Sequence, residues 1–435
     1  MRVGRSARFL GLAALIGVGA GAASALFLEV LRLATDANGD HPWLLYLLPV
    51  AGALVAWLYA GYGRSASGGT NLILDQIHDP RDAGVPLRMF PLILAGTVVT
   101  HLFGGSAGRE GTAVQMGGAI AADLARRLRL DQAETRLALM CGVSGGFSGV
   151  FGTPLAGAVF GMEMLALGGM RYAALIPCLV AALAADETVR LLAVGHAHYA
   201  VTSVIPALSA ETIAKVALVG VGCGLVSAAF GELTLLVEHG ARRLVANPVL
   251  RTALGGVLVV GITLALGTRA YNGLSLPLLQ ESFTGDVPTL AFLAKLVLTA
   301  VTLGVGFKGG EVTPLFVIGA TFGAVLAGPV GLAPDFLAAL GFVAVFAAAA
   351  NTPIACVLMA AELFGGGGIV YFGIAVFVAY AVSGHRGIYH AQRILAPKRA
   401  GRHDEQTTTT TLRELRGHNP RLTDRLARVR PRRRV

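Results

Sequence analysis

The sequence predicts an all-α polytopic membrane protein built from two inverted-topology repeats, with many tilted, partly spanning helices. Composition is the first reason: of the 435 residues, 54% are hydrophobic and only 14% are charged, whereas soluble domains carry about 25% charged residues. Glycine is frequent, with 58 residues, as in membrane helices that approach one another closely. Glycine-rich breaks that carry a carboxylate also recur at matched positions in the two halves of the chain.

The repeat is clearest around two acidic residues, Glu110 and Glu311, which lie 201 positions apart. Each stands in a glycine-rich break between apolar runs. Weak internal repeats with interrupted helices are a recurring design of secondary transporters, whose half-helices meet near the middle of the membrane. The pattern therefore favours transport. A second matched pair, offset by 199 positions, comprises Thr153-Pro154 with Glu163 and Thr352-Pro353 with Glu362.

Apolar runs follow one another along the whole chain, and several are too short to cross a bilayer alone. Such half-spanning segments are stable only where protein surrounds them. We expect a first membrane repeat over residues 1–205, a second over 206–391, and a basic, disordered tail over 392–435. The predicted runs cover residues 9–34, 43–62, 88–104, 112–126, 137–151, 154–168, 172–194, 213–236, 250–269, 290–306, 312–331, 335–350, 353–364 and 368–384.

Positive charge is concentrated at the two ends of the chain. Residues 385–435 hold 14 arginines and lysines against four acidic residues, and Arg8 precedes the first apolar run closely. The positive-inside rule then places both termini in the cytoplasm of an integral, multi-pass protein, which we expect in the bacterial inner (plasma) membrane. Residues 1–25 resemble a signal peptide, but the apolar run continues through Leu28, which favours a first span. No aromatic or folded module accompanies the arginine-rich end, so nucleic-acid binding is not expected.

The four cysteines are scattered singly in apolar segments, where free cysteine acts as a small hydrophobic residue. Their spacing fits neither a metal site nor a disulfide framework. The sequence therefore predicts no metal and no cofactor.

Glu110 follows a glycine-rich stretch and precedes a strong helix pattern that begins near Thr112. A helix N-terminus presents free backbone N–H groups and about half a positive charge, which suits an anion. A carboxylate on a glycine hinge can occupy such a site while no ion is bound, and it can leave once it is protonated. We therefore expect Glu110 to act as a gate.

Three segments carry a specific resemblance to a known family. Gly-Arg-Glu-Gly at 108–111, Phe-Gly-Thr-Pro-Leu-Ala-Gly at 151–157 and Gly-Gly-Glu-Val-Thr-Pro at 309–314 resemble the signature segments of the CLC family of chloride channels and anion/proton exchangers. The likeness covers nearly all of residues 10–391. In that family the glutamate that matches Glu110 is the external gate, which competes with the anion and carries the proton. The resemblance also implies a homodimer with a separate pathway in each subunit, and no enzymatic activity.

Departures from the chloride pattern resemble the fluoride-exporting branch of the family. Asn71 stands where chloride members have a coordinating serine, and Glu311 and Thr313 replace apolar residues. The resemblance implies that Asn71 tunes selectivity, that Thr313 and Tyr389 line the ion path, and that Glu311 supports coupling. Fluoride is small and strongly hydrated, so it needs short, strong hydrogen bonds from hydroxyl, amide or protonated carboxyl donors. The anion-binding residues implied are Gly69, Thr70, Asn71, Arg109, Gly111, Val312, Thr313 and Tyr389.

Each assignment has an ordinary structural alternative. Glu110 could cap a helix in a surface loop, and Asn71 could serve as a cap or turn residue. Thr313 could simply pack or cap, and Tyr389 could anchor the chain at the membrane interface.

Two further charged residues leave alternatives open. The inner proton glutamate of many exchangers aligns with Met164, so the usual inner relay is missing. Its neighbour Glu163 is then either a structural residue that bonds loop amides or a relay, and the structural role is favoured. Lys308 either attracts anions or neutralises Glu311.

The favoured function is antiport of fluoride against protons, and the main alternative is a CLC chloride channel or chloride/proton exchanger on the same scaffold. A third class is an intramembrane hydrolase, because residues 142–146 match the G-x-S-x-G pattern around Ser144, with His196 or His198 as bases. Glycine and serine are abundant in this chain, and no strand–turn–helix context is predicted, so the hydrolase is disfavoured. The residues that would supply these bases belong to the stretch 195–203, which we interpret as the junction loop between the repeats.

Overall fold

A computed structural model of the chain describes residues 2–80, 84–196, 199–396, 398 and 411–414. The described residues are almost entirely helical, as predicted. The first half of the chain contains α1 (Arg2–Asp40), α2 (Leu48–Gly61), α3 (Gly69–His78), α4 (Met89–Leu102), α5 (Glu110–Arg127), α6 (Gln132–Phe151), α7 (Pro154–Glu163) and α8 (Leu175–Leu191).

The same order of helices recurs in the second half, where the single turn α14 (Ala327–Val330) is an addition. Helices α9 to α13 correspond to α1 to α5, and α15 to α17 correspond to α6 to α8. These helices are α9 (Ala210–Leu244), α10 (Pro248–Leu266), α11 (Leu276–Thr284), α12 (Ala291–Val305), α13 (Val312–Val325), α15 (Pro334–Ala350), α16 (Pro353–Phe364) and α17 (Ile369–Val382).

Helix lengths divide into two groups, as the sequence predicts. Five helical segments in the described part of the chain are long and apolar enough to cross a membrane: 7–40, 42–61, 172–191, 210–244 and 248–266. Two of the shorter apolar helices, α13 and α15, are almost entirely buried in the protein, as segments too short to span a bilayer need to be. The predicted apolar runs lie mainly on helices, although the run 154–168 continues beyond the end of α7. Helices α3 and α11 are missing from that prediction, because both are short and interrupted by polar residues.

Helices α7 and α16, which hold equivalent places in the order of the two halves, run antiparallel. The carboxylate of Glu163, at the end of α7, accepts hydrogen bonds from the backbone amides of Ile354 (3.0 Å) and Ala355 (2.8 Å), at the start of α16. The carboxylate of Glu362, near the end of α16, accepts from Leu155 and Ala156 at the start of α7, both at 2.9 Å. The end of each helix therefore caps the start of its counterpart, which is the relation that an inverted repeat requires.

Close packing of small residues is repeated in both halves. At the crossing of α5 and α6, a Cβ atom on Gly117 would lie 2.1 Å from the carbonyl oxygen of Gly142. At the equivalent crossing of α13 and α15, a Cβ atom on Gly319 would lie 2.1 Å from the carbonyl oxygen of Gly341. Only glycine permits these approaches, which pack α5 tightly against α6 and α13 tightly against α15.

Part of the tail is packed against the membrane domain, in contrast to the disorder expected over 392–435. Strand β2 (Arg393–Ile394) pairs in parallel with β1 (Ala166–Leu167), and Leu412 is fully buried. A tail rich in charged residues can still contain single apolar residues that pack against the membrane domain, and Leu412 is such a residue. The other tail residues, including most of its arginines, lie outside the described residues.

Candidate functional site

The two glycine-rich breaks pair with each other across the centre of the molecule. The amide of Gly108 donates to the carbonyl of Gly310 (2.6 Å), and the amide of Gly310 donates to the carbonyl of Gly108 (2.7 Å). A Cβ atom on Gly310 would lie 2.8 Å from the amide nitrogen of Gly111, so this contact requires glycine. The starts of α5 and α13, and with them the predicted site residues Gly111 and Val312, are therefore held side by side.

The carboxylate of Glu110 lies at the N-terminus of α13. Its oxygens accept from the Thr313 hydroxyl at 2.6 and 2.5 Å and from the Thr313 backbone amide at 2.9 Å. The amide of Arg109 adds a further donor at 3.2 Å. The side chain is only 1% exposed, so these donors replace water around the carboxylate.

This arrangement refines the gate predicted from the sequence. The sequence predicts a carboxylate at a helix N-terminus, and the structure places it on the helix of the other half rather than on its own helix. The site is therefore one that an anion would occupy if Glu110 moved away. The surface-loop alternative for Glu110 is wrong, because the side chain is buried.

A small cavity adjoins Glu110 and is lined partly by the segment between the two halves. Arg109 borders it, with Nε 3.4 Å from Glu110 Oε1 and a side chain that is 15% exposed. Aromatic rings form much of the wall, including Phe316 stacked on Phe342 with centroids 3.8 Å apart. Its lining residues are Arg109, Glu110, Val150, Phe151, His196, Tyr199, Leu276, Leu279, Thr313, Phe316, Phe342 and Leu363.

His196 and Tyr199 are lining residues that sequence reasoning missed. The pattern predicts only a junction loop there, and it offers His196 only as a hydrolase base. In the structure Nε2 of His196 is 3.1 Å from the carbonyl oxygen of Gly149, and the Tyr199 ring stacks on Phe283 with centroids 5.5 Å apart. The sequence does contain a signal for them, because a histidine and a tyrosine stand close together in a chain that is otherwise mostly apolar.

Glu311 is the N-cap residue of α13 and follows Gly310 directly, but its side chain makes no capping hydrogen bond. Lys308 places its ammonium group 4.3 Å from the ring centroid of Tyr59. No ion pair joins Lys308 to Glu311, two residues that the structure describes in full.

Asn71 lies on α3, and its side-chain oxygen accepts from the backbone amide of Ala391 at 2.9 Å. Tyr389, two residues earlier in that loop, is 4% exposed, and its ring meets Phe160 edge-on with centroids 6.3 Å apart. Tyr389 is thus buried inside the protein, and its interpretation as an interfacial anchor is wrong.

The remaining predicted residues surround the same region. Thr70 accepts a long hydrogen bond, 3.4 Å, from Gln115 on α5, and Gly69 begins α3 with a positive φ of 57°. Asn71 bonds to Ala391 instead of capping its helix, and the Thr313 hydroxyl bonds to Glu110 instead of only packing. The structure therefore brings together Glu110, Arg109 and Thr313 directly, and places Asn71 against the loop that carries Tyr389.

The G-x-S-x-G match has no hydrolase geometry. Residues 142–146 lie inside helix α6, and Ser144 is fully buried. A Cβ atom on Gly161 would lie 2.1 Å from the Ser144 hydroxyl, so this stretch serves helix packing. His198 lies outside the described residues.

Comparison with known proteins gives consistent results. Residues 51–384 match the family model described as voltage gated chloride channel. The chain is 49% identical over 394 residues to a protein of Pseudomonas syringae pv. tomato named chloride/fluoride channel protein, covering 89% of this chain and 87% of the relative.

Solved structures are also similar. A crystal structure of a CLC-type fluoride/proton antiporter superposes with a TM-score of 0.87 at 35% identity, covering 89% of this chain and 98% of the other. A slow cyanobacterial Cl⁻/H⁺ antiporter gives a TM-score of 0.76 at 20% identity, covering 86% and 94%, which is a likeness of fold alone.

Proposed function

This chain belongs to the voltage-gated chloride channel family, the CLC proteins, and we propose that within this family it exports fluoride in exchange for protons. As a member of this family it is an integral membrane protein and not an enzyme. The relative and the solved structure with more than 30% identity carry fluoride in their names, which supports fluoride as the transported ion.

One observation carries the proposal: the Glu110 carboxylate occupies the N-terminus of α13 and is held there by Thr313. A negative group in this position excludes a second anion. Protonation removes the charge, weakens the bonds to Thr313 and lets the side chain leave. The vacated amide and hydroxyl then become available to an anion, so that anion and proton exchange at one place.

Selection of fluoride over chloride follows from the donors around this route. Thr313 supplies a hydroxyl group, Tyr389 supplies a second, and Asn71 supplies amide hydrogens because its oxygen is already bonded to Ala391. Several short donor bonds compensate the loss of water around fluoride better than that around the larger chloride. Glu311, at the same helix start, is the second acid through which protons couple to anion movement.

The alternative is a passive channel on the same scaffold. The relative from Pseudomonas syringae is named a channel protein, and a gating carboxylate by itself does not enforce proton exchange. Chloride transport, by channel or exchanger, is the corresponding alternative for the ion.

We also propose that the protein lies in the bacterial inner membrane, with both termini in the cytoplasm. The transporting unit in this proposal is a homodimer, and the two repeats of each subunit are divided near residue 205. Arg8 lies near the start of α1, whereas Arg242 and Arg243 lie at the end of α9. The positive-inside rule then makes these equivalent helices run in opposite directions through the bilayer. This orientation agrees with the antiparallel contacts of α7 and α16.

Efflux from liposomes tests the function. Purified full-length protein is reconstituted into vesicles loaded with potassium fluoride or potassium chloride, and anion release is recorded together with internal pH. We expect fluoride release that acidifies the interior and that drives protons against a small opposing pH gradient. Fluoride release without proton movement would indicate the channel, and equal release of chloride would remove the proposed selectivity.

A further inference from the structure

The loop of residues 385–392, which we call the Tyr389 loop, is fastened to the end of α15 as well as to α3. The amide of Ile388 donates to the carbonyl of Ala349 at 2.9 Å. The Gln392 side chain donates to the Ala350 carbonyl and accepts from the Asn351 side chain, both at 3.0 Å. All of these partners lie in buried protein, so the position of this loop is determined by specific bonds and not by solvent.

A separate part of the tail lies against this loop. The amide of Leu412 donates to the Gln392 carbonyl at 3.0 Å, and the amide of Arg413 donates to the His390 carbonyl at 3.1 Å. The Leu412 side chain is fully buried in a cluster with Leu167 and Ile394. This segment, residues 411–414, is therefore docked by one apolar side chain and two backbone bonds.

The docked segment is also a formed turn. Thr411 and Glu414 bond reciprocally, as the two polar residues of a capping box do. The turn therefore holds its own shape while Leu412 and the backbone bonds fix its place.

One peptide group connects the tail to Asn71. The carbonyl of His390 and the amide of Ala391 belong to the same planar unit, and in a trans peptide they point in opposite directions. The carbonyl edge accepts from Arg413 of the tail, and the amide edge donates to Asn71 at 2.9 Å. A rotation of this rigid unit at one edge must move the other edge.

The orientation of Asn71 follows from this bond. A backbone N–H only donates, so the group that meets Ala391 is the side-chain oxygen, and the planar carboxamide then directs its NH₂ away from the loop. In the proposed function, this NH₂ group donates to the anion. If the bond to Ala391 were lost, the carboxamide could turn its oxygen toward the anion and repel it.

From this geometry we infer that tail residues 411–414 are a positioning element for anion selection, acting on Asn71 and Tyr389 through the His390–Ala391 peptide. The inference rests on the proposed function, because it assigns the tail to the site at which fluoride is selected. Leu412 is the residue that holds the segment in place, since it is the buried side chain of the docked turn.

The test compares two substitutions in the full-length chain. Leu412→Asp introduces a charge into the buried cluster, whereas Leu395→Asp is the matched control, because the Leu395 side chain belongs to the same tail and is 45% exposed. We expect Leu412→Asp to lower the ratio of fluoride to chloride efflux by about fivefold, the factor that one hydrogen bond contributes. The control should retain the wild-type ratio.

A double-mutant cycle separates positioning from a general loss of structure. Asn71→Ser should itself lower the fluoride-to-chloride ratio by about fivefold, because it removes the amide donor. If Leu412 acts through Asn71, Leu412→Asp should add little to Asn71→Ser, whereas additive losses would overturn the inference.

Cysteine cross-linking tests the docking independently of transport. When a mild oxidant is added, the double variant Ile394→Cys, Leu412→Cys should form a disulfide in the membrane-embedded protein, since these residues share a buried cluster. The four native cysteines are buried elsewhere. Proton-coupled fluoride efflux in the wild type with an unchanged ratio in Leu412→Asp would overturn this inference alone. Absence of fluoride efflux from the wild type would overturn the proposed function together with it.

Discussion

The two halves of the molecule are alike in their scaffold and unlike at their centre. At α7 and α16 the exchange of contacts is reciprocal, with Glu163 capping one helix and Glu362 the other. At α5 and α13 it runs one way. Glu110 crosses to the second half and bonds to Thr313, whereas the hydroxyl of Thr112, in the matching stretch of the first half, bonds to Thr97 at 2.7 Å.

This asymmetry is what the proposed gating role of Glu110 requires. Under full symmetry, Glu110 and Glu311 would each fill the opposite helix start, and no position would remain for an anion. In the structure only Glu110 crosses over, and Glu311 stays at the N-cap of its own helix without a capping bond. The repeat therefore builds the meeting point, and the difference between the halves leaves one carboxylate, that of Glu110, on the opposite helix start.

The largest expected effect is that of Glu110→Gln. The amide cannot carry the proton, so proton movement linked to fluoride should fall by about 100-fold or more, as when a general acid or base is removed. Fluoride release itself should persist. Internal pH and fluoride release are recorded together in liposomes, with Glu362→Gln as the control. Intact proton-linked fluoride flux in Glu110→Gln would refute the gate.

The threonines of the two helix starts give a direct test of the one-way contact. Thr313→Val removes a hydrogen bond to a carboxylate, a contribution of about 1.5–3 kcal/mol, and should change fluoride turnover by about tenfold or more. Thr112→Val removes only a bond between neutral hydroxyls and should change it by about twofold. Initial rates of fluoride release measure both. Equal effects would mean that the two threonines are functionally equivalent and that the asymmetry is without consequence.

Glu311→Gln tests whether the two acids differ in role. It should lower fluoride turnover by about fivefold, at the lower end of the coupling free energies between linked sites, because the acid lies beside the site and not in it. The measurement is the initial rate of fluoride efflux. Glu211→Gln, which also removes one acid from α9 but at a position that is 77% exposed, serves as the control. An unchanged rate would remove Glu311 from the mechanism.

The smallest difference is expected between Glu163→Gln and Glu362→Gln. Each substitution removes a negative charge from a helix N-terminus and replaces one of the two carboxylate oxygens that accept from backbone amides. In both cases this should reduce the free energy of unfolding by about 1–2 kcal/mol. Thermal unfolding in detergent measures the loss, and the ratio of protons to fluoride should not change. Loss of proton coupling in Glu163→Gln alone would show that Glu163 is a relay after all.

Sequence patterns predicted the helical class, the paired breaks and the acid at a helix N-terminus, because these depend on composition and local spacing. They did not predict helices α3 and α11, whose polar residues hide the helical pattern. Nor did they predict Leu412, because one buried leucine in a charged tail has no periodic signal. His196 and Tyr199 escaped for a similar reason, since a cavity wall is assembled from segments far apart in the chain.

The presence of two matched acids at helix breaks can be read from the amino-acid order alone, since glycine, carboxylate and apolar run are local features. Which helix each acid serves depends on how the two halves pack. Glu110 begins α5 yet lies on α13, and the amide that orients Asn71 comes from a loop 320 positions away. The physical reason is that a buried charge takes the donors that packing brings to it, and packing at the Gly108–Gly310 bridge joins residues that the chain order keeps apart.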